Sequence, residues 1–209
     1  MISFNIFKQD LKNSYRDIYK IIVNIVLFLT ISSVFLFFTQ DISNSGNGLV
    51  IFQVVTWIAM IFTIFYQSVD FLKSDYEDGT IEQMLLICYN FEIYVLMKIL
   101  NFWLEFCLPI IISIFLIMIA LGFDHNIIID STKVAIPTTL AICSISFLCG
   151  CFNIASKRAS LLAILALPMI APIIMLAIKF NIETSILLSL FLLAVNTFSS
   201  SKIIKIVSQ

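Results

Sequence analysis

Residues 70–88, DFLKSDYEDGTIEQMLLIC, separate two long apolar runs of the chain. Glu77-Asp78-Gly79 has the composition of a helix end, with Gly79 at the position that favours positive φ. Thr80 then begins a second helix, and its hydroxyl and the side chain of Gln83 have the spacing of a capping box. The stretch therefore predicts a helix, a break and a second helix. It also concentrates acidic side chains, namely Asp70, Asp75, Glu77, Asp78 and Glu82.

The second of these helices is amphipathic. Ile81, Met84, Leu85 and Cys88 recur at i, i+3, i+4 and i+7, so that one face is apolar. A short amphipathic helix between apolar runs is typical of an element that docks against another surface. The alternative is a surface loop with two ordinary helical turns.

The composition is that of an integral membrane protein. Of the 209 residues, 61% are hydrophobic and only 12% are charged, and the mean hydropathy is +1.08. Soluble domains carry about 25% charged residues. We therefore interpret residues 1–209 as a single transmembrane domain without a separate soluble domain. The net charge of −1 provides no basic surface for a nucleic acid.

Six apolar runs are each close to the length of about 20 residues that crosses a membrane as a helix. Residues 1–20 repeat apolar side chains at helical spacing between charges, which favours an amphipathic helix on the membrane surface over an irregular start. The third run is long enough to tilt or to continue past the membrane. A polar link, 122–133, follows it. The six predicted spans are approximately 21–39, 49–68, 93–121, 134–153, 160–179 and 185–203.

The distribution of Lys and Arg predicts the orientation, because cytoplasmic span ends are enriched in these residues. One set of ends carries Lys8, Lys12, Arg16, Lys20, Lys73, Lys157, Arg158, Lys202 and Lys205. The opposite set carries only Lys133 and Lys179. We therefore expect both termini and the segment 70–92 to lie in the cytoplasm, where a soluble partner can reach the amphipathic helix.

Span three places three polar residues on one face, since Lys98, Asn101 and Glu105 lie at i, i+3 and i+7. Ionisable residues within a span face protein or water far more often than lipid. We expect Lys98 to extend its ammonium group to the nearby cytoplasmic surface. Glu105 lies deeper, and either a structural partner in the bundle or contact with cargo would explain it.

Span four carries a stripe of small and polar side chains, and span five carries two prolines. The stripe predicts a seam between closely packed helices, within the chain or with a partner subunit, and a lined pathway is the alternative. The prolines, Pro168 and Pro172, predict a kink. The stripe comprises Thr139, Cys143, Ser146, Gly150 and Asn153.

The sequence offers no catalytic, metal-binding or cofactor-binding site of its own. It has no G-x-x-x-x-G-K-[ST] motif for ATP and no C-x-x-C-H motif for covalent haem. His125 is the single histidine and is predicted to be a solvated loop residue. The five cysteines lie in or near apolar runs and are interpreted as small apolar residues rather than as disulfide partners.

The chain resembles the CcmB family, membrane subunits of the haem-release ABC complex of cytochrome c maturation. The resemblance is sharpest at Asp70–Leu86, where the family has an acidic helix, a D-G-[ST]-[LI]-E-Q block and an apolar run. Residues 78–83, DGTIEQ, match that block. It also includes residues 7–16, FKQDLKNSYR, the Leu96-Met97-Lys98 segment, the Leu108-Pro109 pair and residues 167–172, LPMIAP. Tyr89-Asn90 departs from the family, in which many members are proline-rich at this point.

The resemblance implies an all-α permease of the ABC-2 type with six spans, an N-terminal surface helix and a coupling helix between spans two and three. It implies a soluble ATPase (CcmA-like), a tryptophan-rich haem-handling membrane subunit (CcmC-like), a small membrane subunit (CcmD-like) and a haem chaperone (CcmE-like). ATP would be held by the ATPase, because this chain lacks the ATP-binding motif, and haem would be held by a partner, because this chain has only two tryptophans. The expected location is the bacterial inner membrane, or the mitochondrial inner membrane.

Under this resemblance we expect Ile81, Met84 and Leu85 to insert into a groove of the ATPase. Two other interpretations are an ABC-2-type exporter of another substrate and a membrane scaffold without energy coupling. The predicted ATPase-coupling residues are Asp70, Asp78, Gly79, Thr80, Ile81, Glu82, Gln83, Met84 and Leu85.

Overall fold

The computed structural model describes residues 18–38, 48–88, 90–156, 169–175, 177 and 182–207, and these residues form an all-helical fold. The break predicted at residues 78–79 separates two helices as expected, which confirms the helix–break–helix prediction. Residues 169–175 are also helical. The elements are α1 (Ile18–Phe38), α2 (Gly48–Glu77), α3 (Thr80–Ile87), α4 (Phe91–Phe102), a π-helical turn (Trp103–Cys107), α5 (Leu108–Ala120), α6 (His125–Ser156) and α7 (Ile182–Val207).

Four helical segments of the described chain are long and apolar enough to cross a membrane. They are Val50–Glu77, Phe91–Ala120, His125–Ala155 and Ile182–Val207, and they correspond to predicted spans two, three, four and six. Helix α1 covers most of the first predicted span, with a shorter apolar stretch at Ile21–Val34. The arrangement with six spans stays a prediction.

Two predictions fall largely outside the described residues. The surface helix at 1–20 is described only at its last three positions. The fifth span, predicted at 160–179, is described only at 169–175 and 177. Pro172 lies in that helical piece with an exposed side chain, whereas Pro168 is not described, so the predicted kink remains a prediction.

Helix α6 is the centre of the bundle. It packs against α2, the π-turn and α5, and its most extensive packing is with α7. The interior is filled by large apolar side chains that include Phe28, Phe106 and Phe147. Helix α7 leaves Leu187 and Phe191 exposed, as expected for an outer helix whose far side meets lipid.

In the third span, α4, the π-turn and α5 follow one another without a gap. The π-turn ends just before Pro109. Proline lacks an amide proton, and its ring crowds the carbonyl four residues earlier, here that of Glu105. The wide turn accommodates this, and the neighbouring Phe106 carbonyl accepts a hydrogen bond of 3.0 Å from Asn24 Nδ2 of α1. The π-turn is therefore held in place by a side chain from another helix.

The predicted polar link at 122–133 is wrong, because α6 begins at His125. Helix α5 ends with Gly122 at φ 75°, and the Phe123 amide donates to the Met118 carbonyl at 3.2 Å. The Asp124 carbonyl then accepts from the Ile128 amide at 3.1 Å. Residues 125–136 contain neither Gly nor Pro, so nothing local stops the helix from starting early. His125 is the first residue of α6, and its side chain is exposed.

Candidate functional site

The break between α2 and α3 is formed by a single left-handed residue. Gly79 has φ 69° and ψ 9°, which confirms the positive φ expected from sequence. The predicted capping box is wrong, since Gly79 itself is the N-cap and no side chain caps the helix. The Gly79 carbonyl accepts from the Gln83 amide at 3.2 Å, which places Thr80 already inside the first turn.

The apolar face of α3 packs against the chain's own core. Ile81 is 3% exposed, and Met84 and Leu85 are half-buried against the same core. The expectation that Ile81 inserts into a partner is therefore wrong. We call the small cavity around Ile81 the Ile81 socket; it is lined by the ends of α2, α6 and α7, through Tyr76, Cys151, Ile154, Ile204 and Val207.

The opposite face of α3 carries its accessible side chains. Leu86 is 89% exposed and Ile87 is 57% exposed. Glu82 and Gln83, one turn earlier, are also exposed. The four positions are i, i+1, i+4 and i+5, so they form one continuous stripe, which we call the outer stripe. Among the other predicted coupling residues, Asp78 is exposed, and Asp70 lies in α2 with its side chain outside the described part.

An ion pair joins the end of α2 to α4. Lys98 Nζ lies 2.8 Å from Asp75 Oδ2 and 5.5 Å from the centre of the Phe71 ring. Only 8% of the Lys98 side chain is exposed. Lys98 thus does not extend to water as expected, because the acidic end of α2 provides a counter-charge closer than the surface.

A second ion pair joins the start of α4 to the end of α7. Lys205 Nζ lies 2.8 Å from Glu92 Oε1, and the ring of Phe91 is 5.8 Å from the same ammonium. Both ion pairs and the Ile81 socket lie at one end of the bundle, which we call the α3 end. The ends of four helices are therefore connected around α3.

The two deeper polar residues of span three are buried. Asn101 lies in α4, and its Oδ1 has no hydrogen-bond partner among the described residues. Glu105 lies inside the π-turn.

The small-residue stripe of α6 faces other helices of the same chain. Trp103 Nε1 donates to Thr139 Oγ1 at 2.9 Å, and Cys143 Sγ lies 3.8 Å from the Ile99 carbonyl oxygen. At Gly150, an added Cβ would lie 2.6 Å from Leu72 Cδ1 and 3.0 Å from the Ser68 carbonyl oxygen. Ser146 is buried, with its hydroxyl bonded to the Ile142 carbonyl, and Asn153 is half-buried. The stripe thus contacts α2 and the third span.

Sequence reasoning missed a matching polar face on α7. Asn196 Nδ2 donates to Ser144 Oγ of α6 at 3.0 Å, deep in the bundle. The signal was a recurrence of small polar residues four apart, like that in α6, within a run considered only for its hydropathy. The buried members of this face include Ser185, Ser189, Asn196, Ser200 and Ser201.

The family model for CcmB protein matches residues 1–199, which is nearly the whole chain. The chain belongs to the CcmB family. The match includes α3 and both acidic partners at the α3 end, Asp75 and Glu92. Membership identifies a membrane subunit, of the permease type, of the haem-exporter ABC system of cytochrome c maturation. A comparison with curated proteins finds no match.

Proposed function

We propose that this chain is the membrane subunit that couples ATP hydrolysis by a separate soluble ATPase, CcmA-like, to release of a haem-loaded chaperone, CcmE-like. The observation that supports this proposal is the outer stripe of α3. It presents two large apolar side chains, Leu86 and Ile87, on a helix between two membrane-crossing segments. Adjacent exposed apolar side chains outside the membrane are typical of a protein–protein contact.

The way α3 is held supports docking rather than a loose loop. Its inner face is anchored by Ile81, and its start is set by Gly79, so the outer stripe has a defined orientation. Amphipathic helices commonly insert such a face into a groove of a partner. Complete burial of Leu86 and Ile87 by the ATPase would contribute about 1.5–3 kcal/mol for each side chain. Glu82 and Gln83 supply polar contacts at the edge.

The proposal assigns the chemistry to the partners. The soluble ATPase binds and hydrolyses ATP, and haem is held by the CcmC-like subunit, which acts with a CcmD-like small subunit. The chain itself is a non-catalytic subunit that binds no cofactor directly. Its termini and α3 face the cytoplasm, and it resides in the bacterial inner membrane or the mitochondrial inner membrane.

Charge introduced on the outer stripe tests the proposal. Leu86→Asp combined with Ile87→Asp places two carboxylates in the proposed contact while leaving the Ile81 socket intact. The matched control, Ser74→Asp combined with Asn90→Asp, adds the same charge at exposed positions beside α3. Co-purification should show at least a tenfold loss of the ATPase from the first variant and little change for the control.

Retention of the ATPase by the Leu86/Ile87 variant at the wild-type ratio would reject α3 as the docking element. The alternative of an exporter for another substrate makes a different prediction. In that case the ATPase would still be lost from the variant, but the wild-type complex would hydrolyse ATP without releasing the haem chaperone.

A further inference from the structure

The two faces of α3 have different surroundings. The outer stripe is exposed, whereas Ile81 on the inner face is 3% exposed and lines the Ile81 socket together with the ends of α6 and α7. Cys151 and Ile154 form the α6 side of the socket, and Ile204 and Val207 form the α7 side. One side chain of α3 therefore lines the same small cavity as residues of two membrane-crossing helices that are remote from it in sequence.

Helix α3 is connected to its neighbours by non-helical residues at both ends. Gly79 is left-handed, and Cys88 is extended, with φ −85° and ψ 116°. The helical hydrogen bonds of α2 and α4 therefore do not run through α3. Side-chain packing is therefore one route by which a push on α3 can leave the helix, and Ile81 is its buried side chain.

The helices on the other side of the socket are linked to the rest of the bundle. Asn196 of α7 donates to Ser144 of α6 at 3.0 Å, and Gly150 of α6 lies in close contact with Leu72 of α2. Close-packed interiors have low compressibility and transmit displacement. Because the socket lies between the ends of α6 and α7, we expect a shift there to reach both helices and to change the distance between them.

We infer that Ile81 is the positioning residue that transmits movement of α3 to α6 and α7, whereas the outer stripe binds the partner. This inference rests on the proposed function, since it is the docked ATPase that moves α3. The inference assigns partner binding to the outer stripe and transmission of movement to Ile81. Loss of the outer stripe removes the ATPase. Loss of Ile81 leaves the ATPase bound but unable to move α6 and α7.

The test measures movement at the far ends of α6 and α7, remote from the ATPase. Spin labels are attached at His125→Cys and Glu183→Cys, both exposed, in a Cys88→Ser background. The distance between the labels is recorded by pulsed electron paramagnetic resonance for the complete complex, with and without ATP. In the wild-type background, ATP should shift the distance distribution.

Ile81→Ala should retain the ATPase within about twofold of wild type and lose the ATP-dependent shift. Ile81→Val, which keeps most of the side-chain volume, should restore it. The control is Ile128→Ala, because Ile128 is equally buried, at 2% exposure, and lies at the opposite end of α6. It should lower thermal stability as Ile81→Ala does, with the shift preserved.

Three results of the distance measurement would overturn the inference. They are a wild-type complex without a shift, an Ile81→Ala complex with a normal shift, and equal loss of the shift in Ile128→Ala. Loss of the ATPase from Ile81→Ala would also overturn it, because Ile81 would then serve binding. Failure of the proposed function has a distinct signature, which is retention of the ATPase by Leu86→Asp/Ile87→Asp.

Discussion

Lys98 Nζ lies 2.8 Å from Asp75 Oδ2, so that a lysine predicted to reach the membrane surface instead joins α4 to the acidic end of α2. Both residues flank α3 in sequence, one before the Gly79 break and one after α3. Burial of the ammonium is unfavourable unless a counter-charge is close, and Asp75 provides it. The pair therefore holds together α2 and α4, the two helices that α3 connects.

Asp75→Asn should destabilise the protein, because it leaves the Lys98 ammonium buried without this counter-charge. Breaking a buried pair costs about 3–5 kcal/mol, and we expect the lower part of that range because Asp75 retains some exposure. Thermal unfolding in detergent measures the effect. Adding Lys98→Met to Asp75→Asn should recover part of the loss, and a double variant less stable than the single one would contradict this account.

Gly79→Val should be destabilising through backbone conformation alone. A side chain at φ 69° costs about 1–2 kcal/mol, although no atom lies within 4 Å of the position of an added Cβ. Because α3 would be reoriented, co-purified ATPase should fall as well. Asn tolerates the left-handed region, so Gly79→Asn should behave nearly as wild type in both measurements. Equal losses for Val and Asn would point to a role other than conformation.

Gly150→Ala should separate α6 from α2. The added Cβ would meet Leu72 Cδ1 at 2.6 Å and the Ser68 carbonyl oxygen at 3.0 Å. Overpacking of this kind costs about 1–3 kcal/mol, which should appear as a lower melting temperature. Leu72→Ala should rescue Gly150→Ala partially, since it removes the side-chain clash and leaves the backbone one. Additive losses in the double variant would show that the two helices do not meet there.

Reporter fusions test the orientation predicted from Lys and Arg. A reporter after Gln209 should be active on the cytoplasmic side, and one within residues 44–47 should be active on the opposite side. Reporters active on the same side in both fusions would contradict the six-span arrangement with cytoplasmic termini.

The sequence by itself determined the helical elements and the break between α2 and α3. Apolar runs of about 20 residues and a Glu-Asp-Gly helix end are local signals, since each depends on neighbouring residues and on the φ preference of glycine. Prediction from the sequence was less successful where the local residues are compatible with either of two structures. Residues 125–133, in which three isoleucines lie between polar side chains, suit a loop or a helix, and only the described helix shows that α6 begins at His125.

Only the tertiary structure decided which face of α3 is available. The spacing of Ile81, Met84 and Leu85 establishes that a face is apolar, but not what covers it. Cys151 and Ile204 line the same small cavity as Ile81, and their proximity depends on how α6 and α7 pack, which no local pattern contains. The partner of Lys98 was undetermined for the same reason. A charge within a span demands a counter-charge or water, and which of the two it finds depends on the three-dimensional position of Asp75.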